Sequence, residues 1–419
     1  MRKSNTNEVP DLGVLSVKLP EDAPPLSLNA HGTPYPNEAN LHALLHADVW
    51  MGVFAFDELA GRCVLTKGIP GQMGTPKRSS PEPLTDTSYS QVLLWFQRNG
   101  LPNACLASVI RAVELRCRDS VYHPVRNYLN SCPTGADELL SLWLFKGLGC
   151  KPETDAQRQY LEAVGRAYLI SAVARAFEPG CKADGVLVLE GKQGAGKSTA
   201  LRKLFGPEYF ADNLPPMASK DAADFVRGKW AIEISELASM NRSDIESVKG
   251  YLTRTEERFR PAYGRTEIQY PRQCVFAATT NQSEYLHDST GDRRFWPVRC
   301  GIIDVSWIEA NKDSIWGAAV AAYLRGERWH LDATTEALAK MEQQNRYAGD
   351  TIDDDVARYA GSRDEVILSE VAFSIYHSRT IPRSDQNRLR AALQRIGFVK
   401  AGRVFKGERR GQTVYVRAE

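Results

Sequence analysis

At 419 residues, with 53 basic against 51 acidic side chains, the chain has room for two or three domains but too little net charge for whole-molecule attraction to nucleic acid. The eight cysteines (Cys63, Cys105, Cys117, Cys132, Cys150, Cys181, Cys274, Cys300) form no C-x-x-C pair, which argues against a structural zinc site or disulfide framework and for a reducing cytosol. No signal-peptide core and no run of membrane-spanning length is present, so a cytoplasmic protein without a membrane partner is expected. Residues 1–36 carry six prolines and little periodicity, and read as a disordered or extended arm. Residues 37–45 read as a short helix, and 51–56 and 63–65 as strands paired across 57–61. Residues 67–87 read as a loop, 88–96 and 106–118 as helices, the latter with a stripe of Leu106, Val109, Ile110, Val113 and Cys117. Together 37–135 form a mixed α/β N-terminal domain. Its adjacent carboxylates Asp57 and Glu58 face opposite sides of a strand, so packing and oligomerisation suit it better than catalysis.

Residues 136–347 are read as a second domain, entered through helices at 137–148 and 155–177. An unbroken apolar strand, 186–189, then leads into Gly191, Gly196, Lys197 and Ser198, which satisfy G-x-x-x-x-G-K-[ST], and a helix follows. Each residue type has a task. Glycines let backbone N–H groups wrap a phosphate, Lys197 neutralises the β/γ oxygens, Ser198 ligates Mg²⁺, and the helix N-terminus adds partial positive charge. The expected ATP-binding set is Gly191, Gln193, Gly194, Ala195, Gly196, Lys197, Ser198 and Thr199. A chance glycine-rich turn is the rival reading, and the strand before and helix after speak against it.

Residues 229–237 read as a strand that ends in Glu236, the expected water-polarising carboxylate and second Mg²⁺ contact. Ser235 stands where an Asp that holds Mg²⁺ is more usual, so that contact runs through water or through Glu233. A third strand, 274–280, delivers Asn281 to orient water against the γ-phosphate. Arg293 and Arg294, after a turn and before a strand at 295–300, suit phosphate-charge stabilisation, in cis or from a neighbouring subunit. Between the second and third strands, Arg258, Arg260, Arg265 and Arg272 interleave with Phe259, Tyr263 and Tyr270 in a basic, aromatic hairpin suited to single-stranded DNA, with a subunit contact as the alternative.

A helix over 327–347 closes this domain, and 348–419 form a linker and a further unit. Residues 369–376 read as a short helix. Ser384 can cap a second, with Leu389, Ala392, Leu393 and Ile396 buried and Arg388 and Arg395 outward. Strands at 399–405 and 413–416 flank a basic turn holding Lys406, Arg409 and Arg410. Helix, helix, hairpin is the pattern of a winged helix. From Arg379 to Arg417 eleven basic residues face two acidic ones, which favours duplex DNA over protein as its ligand. The expected fold class is therefore α/β: an ASCE/AAA+-like P-loop NTPase core between a mixed N-terminal domain and a C-terminal winged helix.

These residues together resemble the virulence-associated protein E family. The likeness rests on His123-Pro-Val-Arg-Asn-Tyr-Leu129, Ala174-Arg-Ala-Phe-Glu-Pro-Gly180, the glycine loop, Lys229-Trp with Glu236-Leu237, Arg260-Pro-Ala-Tyr-Gly-Arg265, Thr280-Asn281 and Gly291-Asp-Arg-Arg-Phe-Trp-Pro297, and extends over residues 37–419. The resemblance implies a P-loop ATPase akin to superfamily 3 helicases. It further implies replication of phage or mobile-element DNA in a bacterial cell, and a homo-oligomeric ring, expected as a hexamer. Such proteins occur with a primase, fused or separate. No paired-carboxylate or zinc signature of one is seen here, so a separate primase is the expected partner. Two rivals stand beside this reading: a non-processive ATP switch that loads or remodels partners at an origin, and a small-molecule kinase built on the same loop.

Overall fold

The computed structural model describes residues 17–418 apart from 22, 72–80, 218, 241, 260–266, 287–291, 348–351 and 404–410. Regular structure begins with α1 (Glu38–Leu44), where the Asn37 side chain accepts the Asn40 amide. Strands β1 (Phe54–Asp57) and β2 (Arg62–Leu65) form the hairpin expected from their spacing, in register from Phe54↔Leu65 to Asp57↔Arg62. A two-residue edge, β3 (Glu82–Pro83), lies inside the stretch read as loop. Helix α2 (Asp86–Arg98) opens on a reciprocal Thr85–Ser88 capping box, and α3 (Leu106–Arg118) packs against it and against α1. β4 (Val121–Tyr122) completes a sheet of order β3-β2-β1-β4 by pairing parallel to β1. Trp50, Phe54, Val92, Phe96, Val109 and Val113 fill the core, and Val17, Leu19 and Leu26 of the preceding arm pack against it.

Three helices lead to the central sheet: α4 (Pro124–Ser131), α5 (Leu139–Lys146) and α6 (Asp155–Phe177). α5 starts two residues later than expected, and Asp137 ahead of it turns its carboxylate to Arg166, at 2.8 Å, and to Arg325, at 2.5 Å. α6 matches its expected span, with every residue from Tyr168 to Ala176 buried. The sheet takes β5 (Val186–Glu190), β6 (Phe210–Ala211), β7 (Ala231–Ile234), β10 (Val275–Thr280) and β11 (Phe295–Arg299), all parallel in the order β11-β5-β10-β7-β6. Between β7 and β10, β8 (Glu256–Phe259) and β9 (Ile268–Pro271) form a separate antiparallel hairpin.

Side chains along the sheet alternate between two layers, as strand geometry requires. Leu187 and Leu189 point into a core shared with α4, α5, α6, α7 (Lys197–Phe205), α10 (Val305–Leu324) and α11 (Ala333–Gln344). Val186 and Val188 point the other way, toward α8 (Lys220–Phe225) and α9 (Arg242–Leu252). α11 begins six residues past its expected start, because the Asp332 carboxylate caps it through the Thr335 amide at 2.8 Å.

The last unit holds α12 (Asp353–Ala360), β12 (Glu365–Ile367), α13 (Leu368–Tyr376), α14 (Arg383–Arg395), β13 (Phe398–Arg403) and β14 (Thr413–Arg417). Its antiparallel sheet runs β12-β14-β13 over a core of Val356, Val371, Leu389, Leu393 and Phe398. Pro382 rather than Ser384 holds the cap position of α14, so the expected cap lies one turn position inside the helix. The chain is thus a mixed α/β protein built on a five-stranded parallel sheet.

Candidate functional site

The loop between β5 and α7 has its backbone set by glycine. Gly194 and Gly196 take φ of 76° and 90°, where an L side chain is strained, although a Cβ at Gly194 would meet nothing within 4 Å and one at Gly196 only Val305 and Ile303, at 3.8 and 4.0 Å. Conformation, not space, demands glycine there. The helical ladder starts at once, with the Ala200 amide donating to the Gly196 carbonyl at 2.8 Å, so the free amides of the first turn open toward the loop. Lys197 Nζ folds over the loop and donates to the carbonyls of Gly191 (2.6 Å) and Lys192 (2.9 Å). Gln193, Ser198 and Thr199 are exposed, and Ala195 half-buried.

A carboxylate meets this loop from β7. The Ser198 hydroxyl donates to Glu233 Oε1 at 2.8 Å, and the Thr279 hydroxyl, from the end of β10, donates to the same oxygen at 2.6 Å. Glu233 is 1 % exposed, and its second oxygen, Oε2, has no hydrogen-bond partner among the described residues. Strand parity explains the meeting. Ile232 and Ile234 face the α8–α9 layer, so Glu233 between them must face the layer that holds α7. Glu236 lies two residues beyond the strand, exposed, and is one of two non-glycine residues with positive φ (53°) among those described. The carboxylate hydrogen-bonded to Ser198 is therefore Glu233. Ser235, at the position where an Asp would be more usual, donates to the Asp212 carbonyl at 3.2 Å.

Beside β5, the Gly191 amide donates to the Thr280 carbonyl at 3.2 Å, which brings Asn281 next to the loop. Asn281, Gly191, Lys192, Lys151 and Arg299 line a cleft of about 550 Å³. Beneath it Glu190 is buried against Arg346 (Nε–Oε1 2.8 Å) and accepts the Tyr285 hydroxyl at 2.7 Å, while Arg346 also pairs with Glu342. Burial pushes the Cys300 thiol behind the loop up to about 12, so it stays protonated. Thr279, Arg299 and Arg346 were missed in the sequence. Arg299 alone had a local signal, as a basic residue ending a strand; Arg346 lies far along the chain from Glu190.

Arg293 and Arg294 sit elsewhere. β11 runs parallel to β5 with Phe295↔Val186 and Arg299↔Glu190, so Arg294 enters the sheet at the edge opposite the glycine loop. The five residues of β11 put about 17 Å of strand between them, more than a side chain spans. There Arg294 approaches Asp184 at 3.5 Å, and both arginines line a cavity of about 800 Å³ with Lys182, Trp296, Trp329 and Lys340.

Among the expected DNA contacts, Arg258 lies on β8 with its guanidinium on Glu256 at 2.7 Å. Arg388 pairs with Asp385 at 3.3 Å. Arg395 pairs with Asp353 at the start of α12 and lies 4.6 Å over the ring of Tyr347, three residues past the end of α11, so it ties α14 to α12 rather than reaching outward. Arg260, Tyr263, Arg265, Lys406, Arg409 and Arg410 lie outside the described residues. Arg272, expected among the basic residues of this hairpin, is instead fully buried at its base, where it pairs with Glu257 and donates to the Tyr251 carbonyl at 2.6 Å, so it holds the hairpin rather than facing solvent.

A model of the virulence-associated protein E-like domain matches residues 129–348. No curated protein matches the chain. Among solved structures, the apo structure of the NrS-1 C-terminal region (305–718) is similar at 12 % identity, covering 87 % of this chain and 96 % of that one, with a TM-score of 0.45. An A-form apo structure of the same region is 11 % identical over 92 % of this chain and 100 % of that one, with a TM-score of 0.47. No described helix is long and apolar enough to cross a membrane.

Proposed function

Because the chain belongs to the virulence-associated protein E-like family, we propose that it is an ATP-hydrolysing DNA helicase or translocase of superfamily 3 type that serves replication of phage or mobile-element DNA. The observation that carries this reading is the Ser198–Glu233–Thr279 cluster at the mouth of the glycine loop. A buried carboxylate oxygen with no partner among the described residues, beside a hydroxyl and the first-turn amides of α7, fits a divalent cation and a polyphosphate. Ser198 and Glu233, with Glu236 beyond the strand end, would hold Mg²⁺, which when bound supplies positive charge to the phosphate oxygens.

The chain's own groups account for the remaining steps. Lys197 Nζ exchanges two loop carbonyls for the β/γ oxygens of ATP, and the first-turn amides of α7 cradle the phosphates. Glu236 accepts the proton of the attacking water, and the Asn281 carboxamide orients it. Arg293 and Arg294 lie at the end of β11 far from their own loop, and serve a neighbouring subunit's nucleotide in a homo-oligomeric ring, read as a hexamer. The loop is then a P-loop in an ASCE/AAA+-like core, and residues 348–419 a winged helix. Domain limits at 37–135 and 136–347 complete the division. The basic hairpin takes single-stranded DNA and the winged helix takes duplex, with a separate primase as partner in the bacterial cytoplasm. The test is Mg²⁺-dependent ATP turnover by the full chain with and without single-stranded DNA. Turnover that rises with DNA is expected; phosphate transfer to small acceptors with no response to DNA would replace this reading with that of a kinase.

A further inference from the structure

A second cluster of ligand atoms lies in the N-terminal unit, far in the chain from the glycine loop. His42 lies in the last turn of α1 and His46 in the turn just past its C-cap, Leu45, so the chain's turn brings the two imidazoles together. Asp119 is the C-cap residue of α3. The two ends are held together by Arg116, a buried residue of α3 whose Nε donates to the Leu45 carbonyl at 3.1 Å. That bond sets how far α1 slides along α3. In the resulting geometry His42 Nε2 and His46 Nε2 lie 2.8 and 3.0 Å from one and the same oxygen, Asp119 Oδ2, and the rings meet edge to face at 5.0 Å. All three ligand atoms fall within 4.8 Å of one another.

We propose that His42, His46 and Asp119 form a zinc site that clasps α1 to the end of α3. A zinc ion sits about 2.0–2.2 Å from imidazole nitrogen and carboxylate oxygen, so its tetrahedral ligands stand about 3.3 Å apart. The two histidine–aspartate pairs need open by only about 0.3–0.5 Å, while the two imidazoles, within 4.8 Å of each other at their ligand atoms, swing to the same spacing as the ion enters. Two imidazoles and one carboxylate, with no thiolate, suit zinc among the borderline ions and ill suit Mg²⁺ or Ca²⁺, which take oxygen ligands. The carboxylate is 40 % exposed and the imidazoles about a quarter, which leaves the fourth position open to water. The absence of C-x-x-C pairs excludes a cysteine site but not this one, whose carboxylate is separated from its histidines by most of the N-terminal unit.

The test uses the full chain stripped of metal by a chelator and titrated with zinc against a chromophoric competitor. One ion per chain is expected, with the first unfolding midpoint raised by at least about 4 °C at saturation. Changing both histidines, His42→Ala with His46→Ala, should weaken zinc binding by about 100-fold, and Asp119→Asn by about 10-fold. Far-ultraviolet circular dichroism of the metal-free variants should match that of the parent. X-ray absorption at the zinc edge of the unmutated protein, which depends on no variant, should show nitrogen and oxygen neighbours at about 2.0–2.1 Å and no sulfur. A sulfur shell, unchanged affinity in the doubly substituted chain, or no binding at about 0.1 mM zinc would overturn the proposal.

Discussion

Substituting Glu233 by Gln separates the stability of the glycine-loop site from its chemistry. Both hydroxyl bonds to Glu233, from Ser198 at 2.8 Å and Thr279 at 2.6 Å, reach the same oxygen, Oε1. A glutamine can place its carbonyl there and keep both. Its amide then occupies the position of Oε2, which is buried and has no partner among the described residues, at a cost of about 1–3 kcal/mol. Against this, Gln removes a buried charge that pairs with no cation among the described residues, a relief of up to several kcal/mol. The two terms leave Glu233→Gln as stable as the parent or more so, by about 0–2 kcal/mol, which raises the unfolding midpoint by up to about 4–8 °C. ATP turnover should fall about 100-fold or more, because the carboxylate proposed to face Mg²⁺ is gone. Differential scanning fluorimetry with and without MgATP, and a phosphate-release assay, read the two halves. Near-parental turnover, or a midpoint several degrees lower with no nucleotide present, would refute the argument from the orphaned oxygen.

Other outcomes follow from the same geometry. Lys197→Ala should abolish hydrolysis, while Glu236→Gln should keep ATP binding and lose turnover; normal hydrolysis by the latter removes Glu236 from water activation. Mixing Lys197→Ala with Arg294→Ala chains should restore part of the activity, since Arg294 lies at the sheet edge opposite its own loop; no recovery despite co-assembly would count against action in trans. His123, buried between Gln273 (2.7 Å) and the Arg126 amide (3.1 Å), has its pKa held below the usual 6.5 by burial. The unfolded chain therefore binds this proton first, and stability falls as pH drops from about 6.5 toward the lowered native value. His46 adds a slope of the same sign, so the check is that His123→Asn flattens the melting temperature profile between pH 7 and 5; an unchanged profile would show that His123 does not titrate there. Deleting residues 351–419 should weaken duplex binding and reduce its logarithmic salt slope by about 0.9 for each DNA phosphate that the shortened chain no longer neutralises, and an unchanged slope would make that unit a protein-docking module.

Much of this architecture is written in local pattern. α6 carries a buried stripe bounded by Thr154, whose hydroxyl accepts the Gln157 amide, and by Gly180, so its span is legible residue by residue. β5 is apolar from Val186 to Leu189 and β10 from Val275 to Ala278 because both faces of the sheet are covered, and each turns polar only at its last residues, Glu190 and Thr279–Thr280. The glycine loop is likewise legible, since Gly194 and Gly196 stand where the backbone takes positive φ between a strand and a helix. What local pattern could not show is which carboxylate meets Ser198. The stretch read as strand over 229–237 is in fact only Ala231–Ile234, and the left-handed turn at Glu236 ends the alternation that would place its side chain. The Glu190–Arg346 pair and the His42–His46–Asp119 cluster join segments distant in the chain, and register between elements, not propensity within them, brings them together. Helix starts at Ala333 and Arg383 also shifted, the first to follow the Asp332 cap and the second the fixed backbone angle of Pro382.

The central claim is that ATP hydrolysis at the glycine loop drives movement along DNA. Strand separation of a forked duplex by the full chain tests it most directly, with ATP, with a non-hydrolysable analogue, and with the Lys197→Ala chain as control. Strands should separate with ATP alone and not with the analogue or the variant. DNA-stimulated ATP turnover with no strand separation on any fork would contradict the claim, and would leave the chain as an ATP switch that loads or remodels partners at an origin.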